Sequence, residues 1–284
     1  MLQLRPNGLA CSTTRTVRVA ERSRLAELFA SCRQHDRSAL IGYLPTGYPD
    51  VQTSIDAMAA LVESGCDIIE VGIPYSDPGM DGPTIAKATE MALRGGVRVR
   101  DSLSAVEAVS NAGGLAVVMT YWNPVLRHGV DAFARDLAAA GGSGMITPDL
   151  IPEEAAEWLA ASDNHGLDRI FLVAPSSTPQ RLAATVVASR GFVYAASTMG
   201  VTGARDVVSR TAPELVQRVK EVSDIPVGVG LGVRSREQAA EIAAYADGVI
   251  VGSALVSALA DGGAAKLRAL TEELADGVRQ RISA

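Results

Sequence analysis

A single (β/α)8 TIM barrel is the fold class this sequence predicts, on three observations. Short β-forming runs alternate with longer Ala/Leu/Glu-rich segments of helical spacing. About eight such units follow one another, which favours a closed barrel over a doubly wound open sheet of parallel strands. The 284 residues, 48% of them hydrophobic, are enough for one large core.

The first unit pairs a strand at 39–44 (ALIGYL) with a helix at 51–64, where Val51, Ile55, Met58, Ala59 and Val62 recur at three- and four-residue steps. Asp56 and Glu63 fall off that face, and Gly65 stops the helix. The second strand, 67–72 (DIIEVG), is rich in β-formers, and Gly72, Pro74 and Pro78 forbid a helix from running through it. A helical pattern then opens near Thr84. Further strands are expected at 115–119 (LAVVM), 143–147 (SGMIT), 169–173 (RIFLV), 192–196 (FVYAA), 226–229 (PVGV) and 247–251 (DGVIV). Between the later ones, Pro213 sits in the first turn of a helix over 212–222. Ser235 followed by Gln238 reads as a capping box opening a helix over 235–245. Residues 1–20 carry Arg5, Arg15 and Arg18 without an acid and without amphipathic periodicity, so they are read as a disordered N-terminal extension rather than a transit peptide. The catalytic barrel is expected over 21–284.

Composition excludes several classes. The net charge is −6, with 26 basic and 32 acidic residues spread along the chain, so no basic face points to nucleic acid. Cys11, Cys32 and Cys66 are odd in number and lack the C-x-x-C spacing of a zinc site. His35, His128 and His165 are scattered and read as solvated or capping residues, and no metal is expected. No apolar stretch reaches the roughly 18 residues of a membrane span, and no secretory signal is present. A soluble, cytoplasmic protein follows as the expectation.

The segment 67–84, DIIEVGIPYSDPGMDGPT, carries the chemistry. Glu70 lies in a strand that is apolar on both faces, where an ionised carboxylate is costly unless it is paired or lines a polar cavity. Asp81 lies in the Gly/Pro-rich loop beyond it. Barrel active sites are assembled from strand C-terminal ends and the following loops, so both acids are expected at one mouth. Each has a plain alternative. Glu70 could be a buried acid satisfied by an Arg or by backbone amides, and Asp81 could simply shape a turn or cap the helix near Thr84. By strand alternation Glu70 shares a face with Ile68 and Gly72, and Met119 shares one with Tyr121.

Glycine-containing turns follow the late strands, at 199–204 (MGVTGA), 228–233 (GVGLGV) and 251–255 (VGSAL), with Gly248 just before the last. Glycines let backbone N–H groups approach phosphate oxygens, and a helix N-terminus adds attraction, with Ser253 available as a hydroxyl donor. Any one of these turns alone would read as a tight strand-to-helix connection. GVGLGV lacks the spacing of a dinucleotide fingerprint, so nucleotide binding is not expected. The long connection 197–210 is read as a lid, although its Arg205 and Asp206 would equally suit solvent-facing loop positions.

From about residue 24 to near the C-terminus the chain resembles the tryptophan synthase α-subunit family. The likeness rests on PTGYPD at 45–50, DIIEVGIPYSDPGMDGPTI at 67–85, MTYWNPV at 119–125, GVTGA at 200–204 and VGSALV at 251–256. It implies retro-aldol cleavage of indole-3-glycerol phosphate to indole and glyceraldehyde 3-phosphate, with no cofactor in this chain. Under the resemblance Glu70 is the acid–base residue that protonates the indole ring, and Asp81 is the carboxylate that accepts the indole N–H. Tyr194 orients the catalytic site, and Tyr43, Met119, Tyr121 and Leu172 surround the indole. Gly203, Gly232, Gly252 and Ser253 hold the phosphate, and Thr202 is a lid residue that reaches Asp81 on closure. As ordinary core residues, Met119 and Leu172 would need no such role. The resemblance further implies a β-subunit partner carrying pyridoxal phosphate, in an αββα heterotetramer, with the loop 73–82 and the loop after the third strand facing it. Met80 and Tyr48 depart from the family's usual L-A-D-G-P and G-D-P patterns.

Two other functions stay open on sequence: a free-standing lyase of the same family, and a ligand-sensing activator of a β partner with weak chemistry of its own. An aldolase using a Schiff-base lysine fits poorly, because Lys87, Lys220 and Lys266 fall in expected helices.

Overall fold

The computed structural model describes residues 23–196, 211–230 and 232–280. Within them runs a parallel sheet of β1 (Ala39–Pro45), β2 (Ile68–Gly72), β3 (Leu115–Met119), β4 (Gly144–Ile146), β5 (Asp168–Ile170), β6 (Leu172–Val173), β7 (Val193–Ala196), β8 (Val227–Gly230) and β9 (Gly248–Val251). β5 and β6 are two halves of the run expected at 169–173, interrupted at Phe171. Because β4 pairs with β5 and β6 pairs with β7, while β1 pairs with both β2 and β9, the ladder continues round a barrel. The expected (β/α)8 architecture is therefore present, with strand ends shifted by a residue or so.

Strand alternation divides two apolar layers. Ile41, Ile68, Val117, Ile146, Ile170, Phe192 and Ile250 fill the barrel interior. The alternate residues, among them Leu40, Ile69, Val118, Val193, Val229 and Val249, pack outward against the helices. The helix α1 (Arg24–Gln34), for which the sequence offered no specific expectation, closes the end opposite the mouth. Its Leu25, Phe29 and Cys32 enter the interior cluster, and Phe29 meets Phe192 at a ring-centroid distance of 5.6 Å. The N-cap Ser23 donates its hydroxyl to the buried Asp168, which also accepts from Arg190 Nε at 2.9 Å.

The structure adds one helix cap and corrects another. In PTGYPD, Asp50 caps α2 (Val51–Glu63) by accepting from Thr53 N at 2.8 Å. Ser235 caps α10 (Arg236–Ala243), accepting from Gln238 N at 3.3 Å. Gln238, however, reaches Arg234 N at 2.9 Å rather than the Ser235 N–H that a capping box requires. α9 spans Thr211–Lys220 with Pro213 in its first turn. His35 and His165 cap helices, as expected, and His128 contacts Asp136. No helix among the described residues is long and apolar enough to cross a membrane.

Candidate active site

Glu70 stands at the inward-facing third position of β2, beside Tyr43 of β1 and Val117 of β3 in register. It is 1% exposed, and its Oε1 has no hydrogen-bond partner among the described residues. The alternative of a buried acid held by an arginine is thereby not what this site shows. Burial alone pushes its carboxyl up to about 8, so at neutral pH the proton stays on. The result is a carboxylic acid at the mouth end of an apolar barrel, with one oxygen unpartnered among the described residues.

Asp81 belongs to the loop between β2 and α3 (Pro83–Arg94). It does not cap that helix: the N-cap is Gly82, which offers no side chain. The carboxylate faces Tyr121 instead, whose hydroxyl donates to Asp81 Oδ1 at 3.4 Å and accepts from Met80 N at 3.0 Å. Burial raises the Asp81 carboxyl while the Tyr121 phenol pulls it back down. Tyr121 is the N-cap residue of α5 (Trp122–His128), a short helix that the strand pattern alone did not reveal.

Two more tyrosines close the ring of polar groups. Tyr43 is buried beside Glu70: burial raises its phenol well above the usual range, Asp81 and Glu70 push it further, and a hydrogen bond with Thr89 of α3 opposes them. Tyr194, in β7 opposite Leu172 of β6, is likewise raised by burial and then by the charge of Glu70. Met119 and Leu172 are half-buried against the interior cluster. Sequence reasoning thus named residues that the fold does gather at one mouth, but it missed Thr89 and the role of two glycines.

Those glycines make room for the phenols. A Cβ at Gly72 would lie 2.6 Å from the Tyr43 hydroxyl and 2.7 Å from its ring, and one at Gly230 would lie 2.5 Å from the Tyr194 hydroxyl. Both sit at inward positions near the C-terminal ends of their strands, a place where a small residue signals close approach. Gly72→Ala is expected to destabilise the fold by about 1–3 kcal/mol through overpacking and to displace Tyr43 from Glu70. Thermal denaturation together with the cleavage rate would check this, and an unchanged rate would show that Tyr43 is not needed in its place.

The glycine turns after β8 and β9 stand at the same mouth. Gly232 follows β8 with φ +69°, and Gly252 follows β9 as the N-cap of α11 (Ser253–Arg279). No side chain caps that helix, and Ser253 in its first turn is buried. Gly203 and Thr202, with the rest of 197–210, lie outside the described residues, as does the extension 1–20.

Comparison with known proteins agrees with this fold. The family model described as Tryptophan synthase alpha chain matches residues 29–281. The Mycobacterium avium tryptophan synthase alpha chain is 80% identical over 269 residues, covering 95% of this chain and 99% of the relative. A solved Mycobacterium tuberculosis tryptophan synthase structure superposes with a TM-score of 0.89 at 80% identity, covering 92% of this chain and 100% of that one. The Legionella pneumophila alpha chain, at 30% identity, still superposes with a TM-score of 0.81, covering 92% of this chain and 97% of that one.

Proposed function

The chain belongs to the tryptophan synthase alpha chain family, whose role is the cleavage of indole-3-glycerol phosphate, and from that premise we propose how its own residues divide the work. The observation that carries the proposal is the contrast between two carboxyls at one mouth. Glu70 is a fully desolvated acid that keeps its proton near neutrality, whereas Asp81, whose carboxyl burial also raises, accepts from a phenol that opposes that rise and favours the ionised form.

The reaction needs that contrast. The indole ring must become a leaving group, so Glu70 delivers its proton to ring carbon C3, and positive charge spreads to the ring nitrogen. Asp81 accepts the indole N–H and steadies that charge. The carboxylate left on Glu70 then assists loss of the proton from the glycerol hydroxyl next to the ring. As the carbonyl forms, the carbon–carbon bond breaks and its electron pair returns to the ring, releasing indole and glyceraldehyde 3-phosphate. Tyr194 orients Glu70, while Tyr43, Met119, Tyr121 and Leu172 enclose the indole. The uncapped N-terminus of α11, with Gly232, Gly252 and Ser253, receives the phosphate, because unpaired N–H groups and the helix dipole both favour an anion. Gly203 and the lid residue Thr202 complete the site in this reading.

The chain itself supplies acid–base chemistry, and pyridoxal phosphate belongs to a β partner that consumes the indole in an αββα heterotetramer. The loop 73–82 and the start of α5 form the surface proposed for that partner. Its link to the site is physical: Asn123 Nδ2 donates to the Tyr75 hydroxyl at 3.3 Å, and the Tyr75 ring packs on Tyr121 at 5.3 Å. Exposed Leu126 of α5 lies in the same part of the chain.

The test is indole release from indole-3-glycerol phosphate by the purified chain, with and without a matching β subunit. Slow release that rises severalfold or more with β is the expected result. Equal release in both conditions would favour a free-standing lyase, and none in either would remove the proposed chemistry.

A further inference from the structure

We infer that Tyr121 is a positioning residue for the cleavage reaction: its hydroxyl, accepting from the Met80 backbone N–H and donating to the Asp81 carboxylate, holds the β2–α3 loop so that Asp81 meets the indole nitrogen. This goes beyond a pocket wall, and it rests on the assignment of Asp81 proposed above.

The geometry is specific. Tyr121 comes from the end of β3 and the loop from the end of β2, 40 or 41 positions apart in sequence, so the two hydrogen bonds staple neighbouring βα connections together. Met80 and Asp81 are adjacent residues, and one phenol oxygen serves both. A donor at one lone pair and an acceptor at the hydroxyl proton leave the phenol little freedom to rotate. The ring is also packed against Tyr75, at 5.3 Å and 33° between planes. The bond to Met80 N is 3.0 Å, whereas that to Asp81 is 3.4 Å, a length that leaves room to tighten when substrate is bound.

An accepted proton from a backbone N–H makes the hydroxyl a better donor to the carboxylate, since linked hydrogen bonds polarise one another. The phenol therefore does two things to Asp81: it sets the direction of the carboxylate and it favours the ionised form. Loss of the hydroxyl would remove both while leaving the aromatic wall in place. The ionisable groups facing this pair are Tyr43, Tyr75 and Asp149, with Glu70 beyond Tyr43. None is a cation, so no other described charge at the site takes over the stabilisation of the Asp81 carboxylate.

Tyr121→Phe tests this, assayed as glyceraldehyde 3-phosphate formation in the presence of the matching β subunit. The expected result is a fall in kcat of about 10-fold or more near pH 7, with KM changed by less than about twofold. The acid limb of the kcat profile should move to higher pH, so that the deficit shrinks as pH rises. On an Asp81→Asn background the same change should cost much less than in the native chain, because the charge that Tyr121 aims and keeps ionised is already gone. Native-level kcat across the pH range, a uniform loss with an unmoved acid limb, or a full additional loss on the Asp81→Asn background would each overturn the inference. Undiminished cleavage by Asp81→Asn alone is a different result: it would sink the assignment of Asp81 itself.

Discussion

Replacing Glu70 by Gln is expected to lower cleavage of indole-3-glycerol phosphate by about 10³-fold while leaving the fold and phosphate binding intact. Gln has nearly the same shape and can still fill the space between Tyr43 and Val117. It cannot give a proton to carbon and take another from the glycerol hydroxyl. The expected magnitude sits within the range that a positioned acid–base group supplies. The indole pocket, Asp81 and the phosphate turns would still bind substrate, so KM should move much less than kcat. Cleavage at the native rate would remove Glu70 from the mechanism.

The same residue predicts two pH effects. Activity that depends on protonated Glu70 should fall as pH rises through about 8, where burial places its titration. Stability should follow with a definite sign. The folded carboxyl keeps its proton above the ordinary value of 4.5, whereas the unfolded chain releases it there. Between about 4.5 and 8 the unfolded state therefore binds fewer protons, and folding stability falls as pH rises through that window. The cost reaches a few kcal/mol above it, as an upper bound. Glu70→Gln, lacking this titration, should be more stable than the native chain at pH 8 and closer to it at pH 5. A native chain that gained stability from pH 5 to pH 8 relative to Glu70→Gln would show a carboxylate paired inside the fold.

The second large effect is expected from Asp81→Asn, a fall in kcat of about 10²-fold or more. The amide keeps an oxygen that can accept the indole N–H, and it can still accept from Tyr121. What it loses is the negative charge opposite the developing iminium, which is worth most in a desolvated site. Loss confined to KM would mean that Asp81 only binds substrate. With Tyr121→Phe as the companion change, the pair separates the charge itself from the device that aims it.

How much of this was legible along the chain varies by element. β2 was readable from Ile68, Ile69 and Val71 against Gly72, and Glu70 stood out as the one charged residue in that run. The cap at Ser235 was local and therefore visible, although Gln238 chose a neighbouring N–H once Arg234 was folded beside it. The break at Phe171 and the helix α5 were not foreseen. Apolar spacing does not distinguish a continuous strand from one that loses a ladder hydrogen bond, and MTYWNPV carries a proline inside what becomes a helix. The contribution of Gly72 and Gly230 was hidden because a glycine at a strand end looks the same whether or not a tyrosine ring from another strand leans over it.

The sequence by itself determined the repeated β-α plan, the family, and the location of both carboxylates at the C-terminal side of one strand. Each of these depends on residue type and on spacings of a few positions. Only the tertiary structure decided that Glu70 is a buried acid with one oxygen unpartnered among the described residues, that Asp81 turns to Tyr121 instead of capping α3, and that α1 closes the barrel through Phe29 and the Ser23–Asp168 bond. Desolvation and hydrogen bonding are set by atoms from segments far apart in the chain, so a carboxyl's protonation and direction exist only once the barrel has closed around it.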